Sequence, residues 1–213
     1  MNRLYFGDNL KWLSDRKEFP DASVDLVYLD PPFNSNADYN VLFREPSGQV
    51  SQAQFHAFTD TWSWADAADT YHQFIDDCPN VAVVELMEAL HSFLKHSAMM
   101  AYLAMMAPRL VELHPVLKPT GSLYLHCDPT ASHFLKLILD GVFDVMNFRN
   151  EIIWKRTTVH SDSKTWSHVS DTIFFLFQIG HVHLESTLRA TLGGISVIEV
   201  PTPRSGWASL SPR

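Results

Sequence analysis

Residues 24–29, Val-Asp-Leu-Val-Tyr-Leu, form a nearly unbroken apolar, β-prone run, and the chain leaves it through Asp30-Pro31-Pro32-Phe33. A strand that is apolar on successive residues has no solvent face, so it belongs inside a sheet covered on both sides by helices. A single proline or an Asn-Gly pair is enough to end a strand. Two prolines after an acid do more, because each fixes φ and removes an amide donor. The Pro31 carbonyl is then held rigidly beside the Asp30 carboxylate, and the corner offers acceptors without donors.

Apolar runs alternate with helical spacing along the rest of the chain. Arg3 to Phe6 reads as a short strand closed by Gly7-Asp8-Asn9, after which Leu10, Trp12 and Leu13 begin a brief helix. Residues 35–61 are polar and without a period, which predicts a long surface loop. Helical spacing returns with Leu86, Leu90, Phe93 and Leu94, and again with Leu103, Leu110, Leu113 and Leu117. Pro108 should kink or split that second helix, and Pro115 should end it early. Lys118-Pro119-Thr120-Gly121 is a helix stop, residues 122–125 read as a buried strand ending at His126-Cys127-Asp128, and residues 130–139 as a helix with Phe134, Leu135 and Ile138 on one stripe. Further strands are expected at 148–155 and 172–177. This alternation predicts an α/β sheet with helices on its faces. Met99, Met100, Met105 and Met106 read as core packing.

Composition narrows the classes. A chain of 213 residues, 46% apolar and 19% charged, has the size and apolar content of one globular domain. A net charge of −8 argues against a protein that coats nucleic acid non-specifically, but it leaves room for a local basic face. Lys155, Arg156, Lys164 and Arg149, with Trp154 and Trp166 among them, form the most basic region, either a phosphate-contacting surface or a solvated one. Cys78 and Cys127 are too few for a disulfide framework and show no CxxC or metal-ligand spacing, which predicts a reducing, cytoplasmic setting. The apolar runs at 98–107 and 173–177 fall short of a membrane span, and the N-terminus shows no signal-peptide pattern. His181 and His183 lack a second ligand cluster, so no metal is expected.

In an open α/β sheet, ligands bind beyond the carboxyl ends of the strands, where Asp30 is expected. The Asp30 carboxylate and Pro31 carbonyl match a group with two N–H bonds, such as the exocyclic amine of a nucleobase, and Phe33 offers a stacking face. The alternative is a turn in which Asp30 caps the next segment and Phe33 packs in the core. Asp8 is likewise open to reading as a helix N-cap before Leu10. His126, Cys127 and Asp128 either line the pocket or serve the core.

Leu29-Asp30-Pro31-Pro32-Phe33 is preceded by Leu4-Tyr5-Phe6-Gly7-Asp8-Asn9-Leu10 and followed by Val-Leu-Lys-Pro-Thr-Gly-Ser-Leu-Tyr-Leu-His-Cys-Asp at 116–128 and Phe-Arg-Asn-Glu-Ile-Ile-Trp-Lys-Arg at 148–156. As a linked set over residues 3–176 these resemble the amino-group DNA methyltransferases, in the β-class order that places the catalytic motif N-terminal to the principal cofactor loop. The resemblance implies a Rossmann-like S-adenosylmethionine-dependent methyltransferase fold, with a mostly parallel sheet flanked by helices. It implies transfer of a methyl group to a base flipped out of double-stranded DNA, without a metal. Asp30 and the Pro31 carbonyl would accept hydrogen bonds from the target amine, Pro32 would hold the corner, and Phe33 would stack on the base. Asp8 would contact the adenine part of S-adenosylmethionine, with Asp30 also facing the cofactor, and Lys155, Arg156 and Lys164 would meet DNA. An initial Asp, where cytosine-specific relatives more often carry Ser, favours adenine N6. A homodimer or a restriction subunit is the implied partner, with no membrane.

The resemblance stops near Phe177. The target-recognition region and the Phe-x-Gly-x-Gly loop of the family are not recognisable, Gly193-Gly194 lacks the expected flanks, and Pro115 stands where a basic residue is usual. Residues 1–177 therefore read as a methyltransferase catalytic region, and 178–213 as an atypical tail, frameshifted or disordered, with the fold incomplete. The alternative is an inactive truncated fragment, or a weak DNA-binding or assembly module needing another chain. Methylation of a protein amide, which relatives with Asn-Pro-Pro-Tyr perform, is disfavoured by Asp30.

Overall fold

Val24–Leu29 forms β1, and its parallel pairing with Leu117–Cys127 (β4) makes the centre of the sheet. The computed structural model describes residues 3–5, 7–31, 38–41, 55–59, 62–156, 169–178 and 197–200. In chain order the remaining elements are α1 (Asn9–Leu13), β2 (Asp38–Val41), β3 (Phe55–Thr59), α2 (Trp64–Asp77), α3 (Val81–Leu94), α4 (Ala98–Val116), α5 (Pro129–Phe143), a 3₁₀ turn (Val145–Asn147), β5 (Phe148–Lys155), β6 (Ser170–Phe177) and β7 (Val197–Val200). The main sheet has the order β5-β6-β4-β1-β7. Both neighbours of β1 are parallel to it, whereas β6 runs antiparallel to β4 and to β5. The expected α/β sheet is present as a mixed sheet, in which β6 runs against the other four strands.

The core follows from the apolar runs. Val27, Leu29, Leu123 and Leu125 on the central strands are at most 4% exposed, and α4 buries Met100 to Ala104, Leu110 and Leu113 against its surroundings. Met100 and Met106 are buried and Met99 and Met105 pack beside them, as expected of core methionines. Helix α4 touches α1, α2, α3 and α5 and so serves as the hub of the helical layer.

Several local expectations are corrected. Pro108 does not split α4, which runs from Ala98 to Val116 and ends one residue past Pro115. A proline in a helix interior costs about 3 kcal/mol, but each fully buried Leu contributes about 1.5–3 kcal/mol, and α4 is buried along most of its length. Residues 3–5 form no strand. Arg3 and Tyr5 instead reach Glu18 at 2.7 and 2.8 Å, and the Tyr5 ring packs on Trp12 and Phe19. Within the expected loop at 35–61, β2 and β3 pair as an antiparallel two-stranded sheet. Helix α2 is a further element: Ser63 accepts from the Asp66 N–H at 3.3 Å, and Ala67, Tyr71 and Phe74 share one buried face. Residues 197–200, from the segment expected to be atypical, pair with β1 as β7; residues 179–196 and 201–213, with His181, His183 and Gly193-Gly194, lie outside the described residues.

Lys118-Pro119-Thr120-Gly121 does stop the helix, but inside β4 rather than before it. The register jumps from Val24↔Leu117 to Leu26↔Ser122, so these residues bulge out and return at Gly121. A Cβ on Gly121 would lie 2.6 Å from Leu117 Cδ1 and 3.0 Å from the Lys118 carbonyl oxygen. Gly121→Val should therefore destabilise the fold by about 1–3 kcal/mol, read as a lower urea midpoint with an unchanged slope.

A second test concerns the corner between α2 and α3. The Trp64 ring stacks on His91 at 4.7 Å and on His96 at 5.0 Å, and His91 Nε2 is buried without a hydrogen bond among the described residues. Burial lowers the His91 pKa from its ordinary 6.5, and the neighbouring His96, His72 and Lys95 lower it further. The unfolded chain thus takes up a proton that the folded one refuses, so stability is full above 6.5 and falls as the pH drops below it. Urea midpoints at pH 7.5 and 5.5 should show this loss, and His91→Phe, which keeps a stacking ring, should make it smaller.

Candidate functional site

Strand direction assembles the site. Leu29 pairs with Leu125, which brings Asp30, the next residue of one strand, level with His126, the next residue of the other. Because β6 is reversed, its first residues arrive at this same edge: His126 pairs with Ile173 and Cys127 with Thr172, and Asp171 follows. Strand β5 ends here too, with Trp154 opposite Asp171, and the Arg156 N–H donates to the Val169 carbonyl at 2.8 Å.

Four side chains form a row across this edge. His126 Nδ1 lies 2.9 Å from Asp30 Oδ1, and His126 Nε2 lies 3.3 Å from Asp171 Oδ2. Arg156 Nη1 then lies 3.2 Å from Asp171 Oδ1. The Asp171 side chain is 1% exposed, His126 11%, Asp30 20% and Arg156 42%, so the row is dry in the middle and wet at both ends. A buried carboxylate without partners would cost several kcal/mol, which accounts for a basic group on each side of Asp171. Asp171 was not foreseen. The only signal was an acid heading the apolar run Thr172 to Phe177, and the reversal of β6 is what gives that acid its place.

The remaining expected residues divide. Pro31 is buried directly after Asp30, while Pro32, Phe33 and Lys164 lie outside the described residues. Lys155 is exposed at the end of β5, and Arg156 belongs to the row. Of the three residues closing β4, only His126 joins the site. Cys127 is fully buried, and its thiol is pushed far up by burial and then by Asp128, Glu151 and Asp171, so it carries no thiolate. Asp128 caps α5 by accepting from the Ala131 N–H at 3.0 Å. No group of three His, Cys, Asp or Glu suited to a metal occurs among the described residues, and no helix there is long and apolar enough to cross a membrane.

Asp8 caps α1, its Oδ1 accepting from the Leu10 N–H at 2.9 Å. The same oxygen pairs with Arg109 Nη2 at 2.6 Å, and Arg109 also donates to Asn9 Oδ1 at 2.8 Å and to the Met105 carbonyl. Arg109 thus ties the Gly7-Asp8-Asn9 turn to α4, a link that sequence reading missed.

Comparison with known proteins gives a consistent family. Residues 24–178 match a family model for N6 and N4 methyltransferases described as DNA methylase. The Mod subunit of the type III restriction-modification enzyme StyLTI from Salmonella typhimurium is 28% identical over 155 residues, covering 73% of this chain and 20% of that protein. The type II methyltransferase M.KpnI from Klebsiella pneumoniae is 22% identical over 161 residues, covering 76% of this chain and 28% of that protein. The chain therefore spans between a fifth and three tenths of the length of these relatives. Among solved structures, the cytosine-N4-specific PvuII DNA methyltransferase aligns with a TM-score of 0.41 at 12% identity, over 95% of this chain and 58% of that one.

The double use of Asp8 is open to measurement. Asp8→Ala removes the cap and the Arg109 pair together and should cost about 1–2 kcal/mol in urea unfolding. Asp8→Asn, which still caps, should cost less.

Proposed function

The chain belongs to the DNA methylase family, and on that premise we propose that it transfers a methyl group from S-adenosylmethionine to the N6 amine of an adenine flipped out of duplex DNA. The observation that carries this reading is the Asp30 corner: a partly exposed carboxylate at the carboxyl end of β1, followed by buried Pro31 and tied to His126 at 2.9 Å.

S-adenosylmethionine supplies an electrophilic methyl group on a sulfonium. An aromatic amine is a poor nucleophile because its lone pair is delocalised into the ring. Two acceptors, the Asp30 carboxylate and the Pro31 carbonyl, draw on its two hydrogens and favour a pyramidal nitrogen with its lone pair aimed outward. The bound cofactor would supply the methyl group for a new C–N bond as its C–S bond breaks, and the amine held by Asp30 and Pro31 would afterwards lose a proton. Positioning and preorganised polar groups carry such a reaction without a nucleophilic side chain, which agrees with the protonated Cys127 nearby. Pro32 would hold the corner and Phe33 would stack on the base. Asp8, held by Arg109, would hold the adenosyl part of the cofactor, together with Asp30. Lys155, Arg156 and Lys164 meet DNA phosphates. Asp rather than Ser at position 30 favours adenine N6 over cytosine N4.

Residues 1–177 form the catalytic region in this reading, and 178–213 a separate segment that lends β7 to the sheet. In this reading the partner is a second copy of the chain or a restriction subunit, the latter supported by the likeness to type III Mod subunits.

The deciding experiment incubates the 213-residue chain with methyl-labelled S-adenosylmethionine and duplex DNA, then separates the methylated nucleosides. Labelled N6-methyladenine is expected, and Asp30→Ala should lower its rate by about 100-fold or more. N4-methylcytosine would refute the adenine assignment, activity surviving Asp30→Ala would refute the role of the acid, and neither transfer nor cofactor binding would refute an enzyme active on its own.

A further inference from the structure

We propose that His126 is a positioning residue of the amine-holding corner: its Nδ1–H fixes the Asp30 carboxylate, while Asp171 and Arg156 fix the ring from behind. The inference rests on the methyl-transfer reading for its purpose, but its geometry stands independently of that reading.

Both ring nitrogens face carboxylate oxygens, Asp30 Oδ1 at 2.9 Å and Asp171 Oδ2 at 3.3 Å. A carboxylate oxygen accepts, so the shorter contact takes its hydrogen from Nδ1. The ring is then held between Asp30 and Asp171, with Arg156 on the far side of Asp171. The surrounding groups leave this pattern undisturbed. Cys127 remains a neutral thiol, Asp128 is engaged as the cap of α5, and Glu151 accepts from the Thr172 hydroxyl at 3.4 Å.

The arrangement has a consequence for Asp30. A carboxylate at a strand end can rotate, and each rotation misaligns an acceptor with the amine it holds. Tying Oδ1 to a ring that is itself tied to a side chain only 1% exposed fixes the carboxylate plane before substrate arrives. Asp171 suits this purpose because it is the second residue of β6, buried, with Arg156 on its other side.

The test uses the full chain labelled with ¹⁵N-histidine at pH 7.5, with His126 assigned from the signal lost in His126→Asn. Long-range ¹H–¹⁵N spectra of the wild type should show a hydrogen on Nδ1. In Asp30→Ala the Nδ1 signal should change, its hydrogen no longer held; Asp30→Gly is a second variant with the same expectation should the first fail to fold. A wild-type ring with no hydrogen on Nδ1, or an Nδ1 signal unmoved by the loss of Asp30, would overturn the proposal. The kinetic arm adds a split. His126→Ala should lower kcat by about 10–100-fold with the KM for DNA unchanged, and His126→Asn, which puts an amide N–H near the place of Nδ1–H, should recover most of it. Equal losses in both variants would count against positioning. Absence of methyl transfer by the wild type would refute the methyl-transfer reading, and the ring spectra would still decide this one.

Discussion

The parallel pairing of β1 with β4 sets the level at which every polar group of the working edge meets its partner. With Leu29 opposite Leu125, the first residue past one strand stands beside His126 of the other. A one-residue slip would exchange the faces on which the side chains of β1 pack, and the close burial of Val27 and Leu29 opposes it. The contact between Asp30 and His126 is thus enforced by apolar packing several residues away, and the polar row has little need to hold itself together. The bulge at 118–121 absorbs the mismatch at the other end of β4, so the register at the carboxyl edge stays clean.

The helical layer secures the second acid. Helix α4 accepts two prolines without breaking, because its burial outweighs the lost ladder bonds. Arg109 projects from this helix to Asp8, Asn9 and the Met105 carbonyl. The turn that carries Asp8 is therefore anchored to the best-buried helix of the fold, although α1 itself is only five residues long. A cap and a ligand-facing acid need not compete, since the cap uses a single oxygen of the carboxylate.

Much of this was legible in the sequence, and the boundary has physical causes. Residues 24–29 and 172–177 announce strands because nearly continuous apolar, β-branched and aromatic runs have few other solutions, and Ile152, Ile153 and Trp154 mark the strand at 148–155. Asp30 at a strand end followed that reading, and so did the cap at Asp8. Strand direction was not legible, since a run reads the same whichever way it is laid in the sheet. The reversal of β6 and the arrival of Asp171 beside His126 therefore came only from the structure. The hairpin of β2 and β3 escaped because strands of four and five residues are too short to show a period. Pro108 misled for the opposite reason: a strong local rule met a tertiary context strong enough to override it.

The basic residues that stood out in an acidic chain resolve into different physical situations. Lys155 is an exposed point charge at the end of β5. Arg156 faces two ways. One Nη lies 3.2 Å from the buried Asp171, while the side chain as a whole is 42% exposed. A guanidinium has five N–H donors in a planar fork, so it can hold a buried carboxylate with one edge and present the other to an anion outside. Lysine at this place would have to choose, because its charge is a single point. The row that starts at Asp30 therefore ends in a group suited to the proposed phosphate contact, and the side chain that balances the buried charge also reaches the surface where DNA would lie.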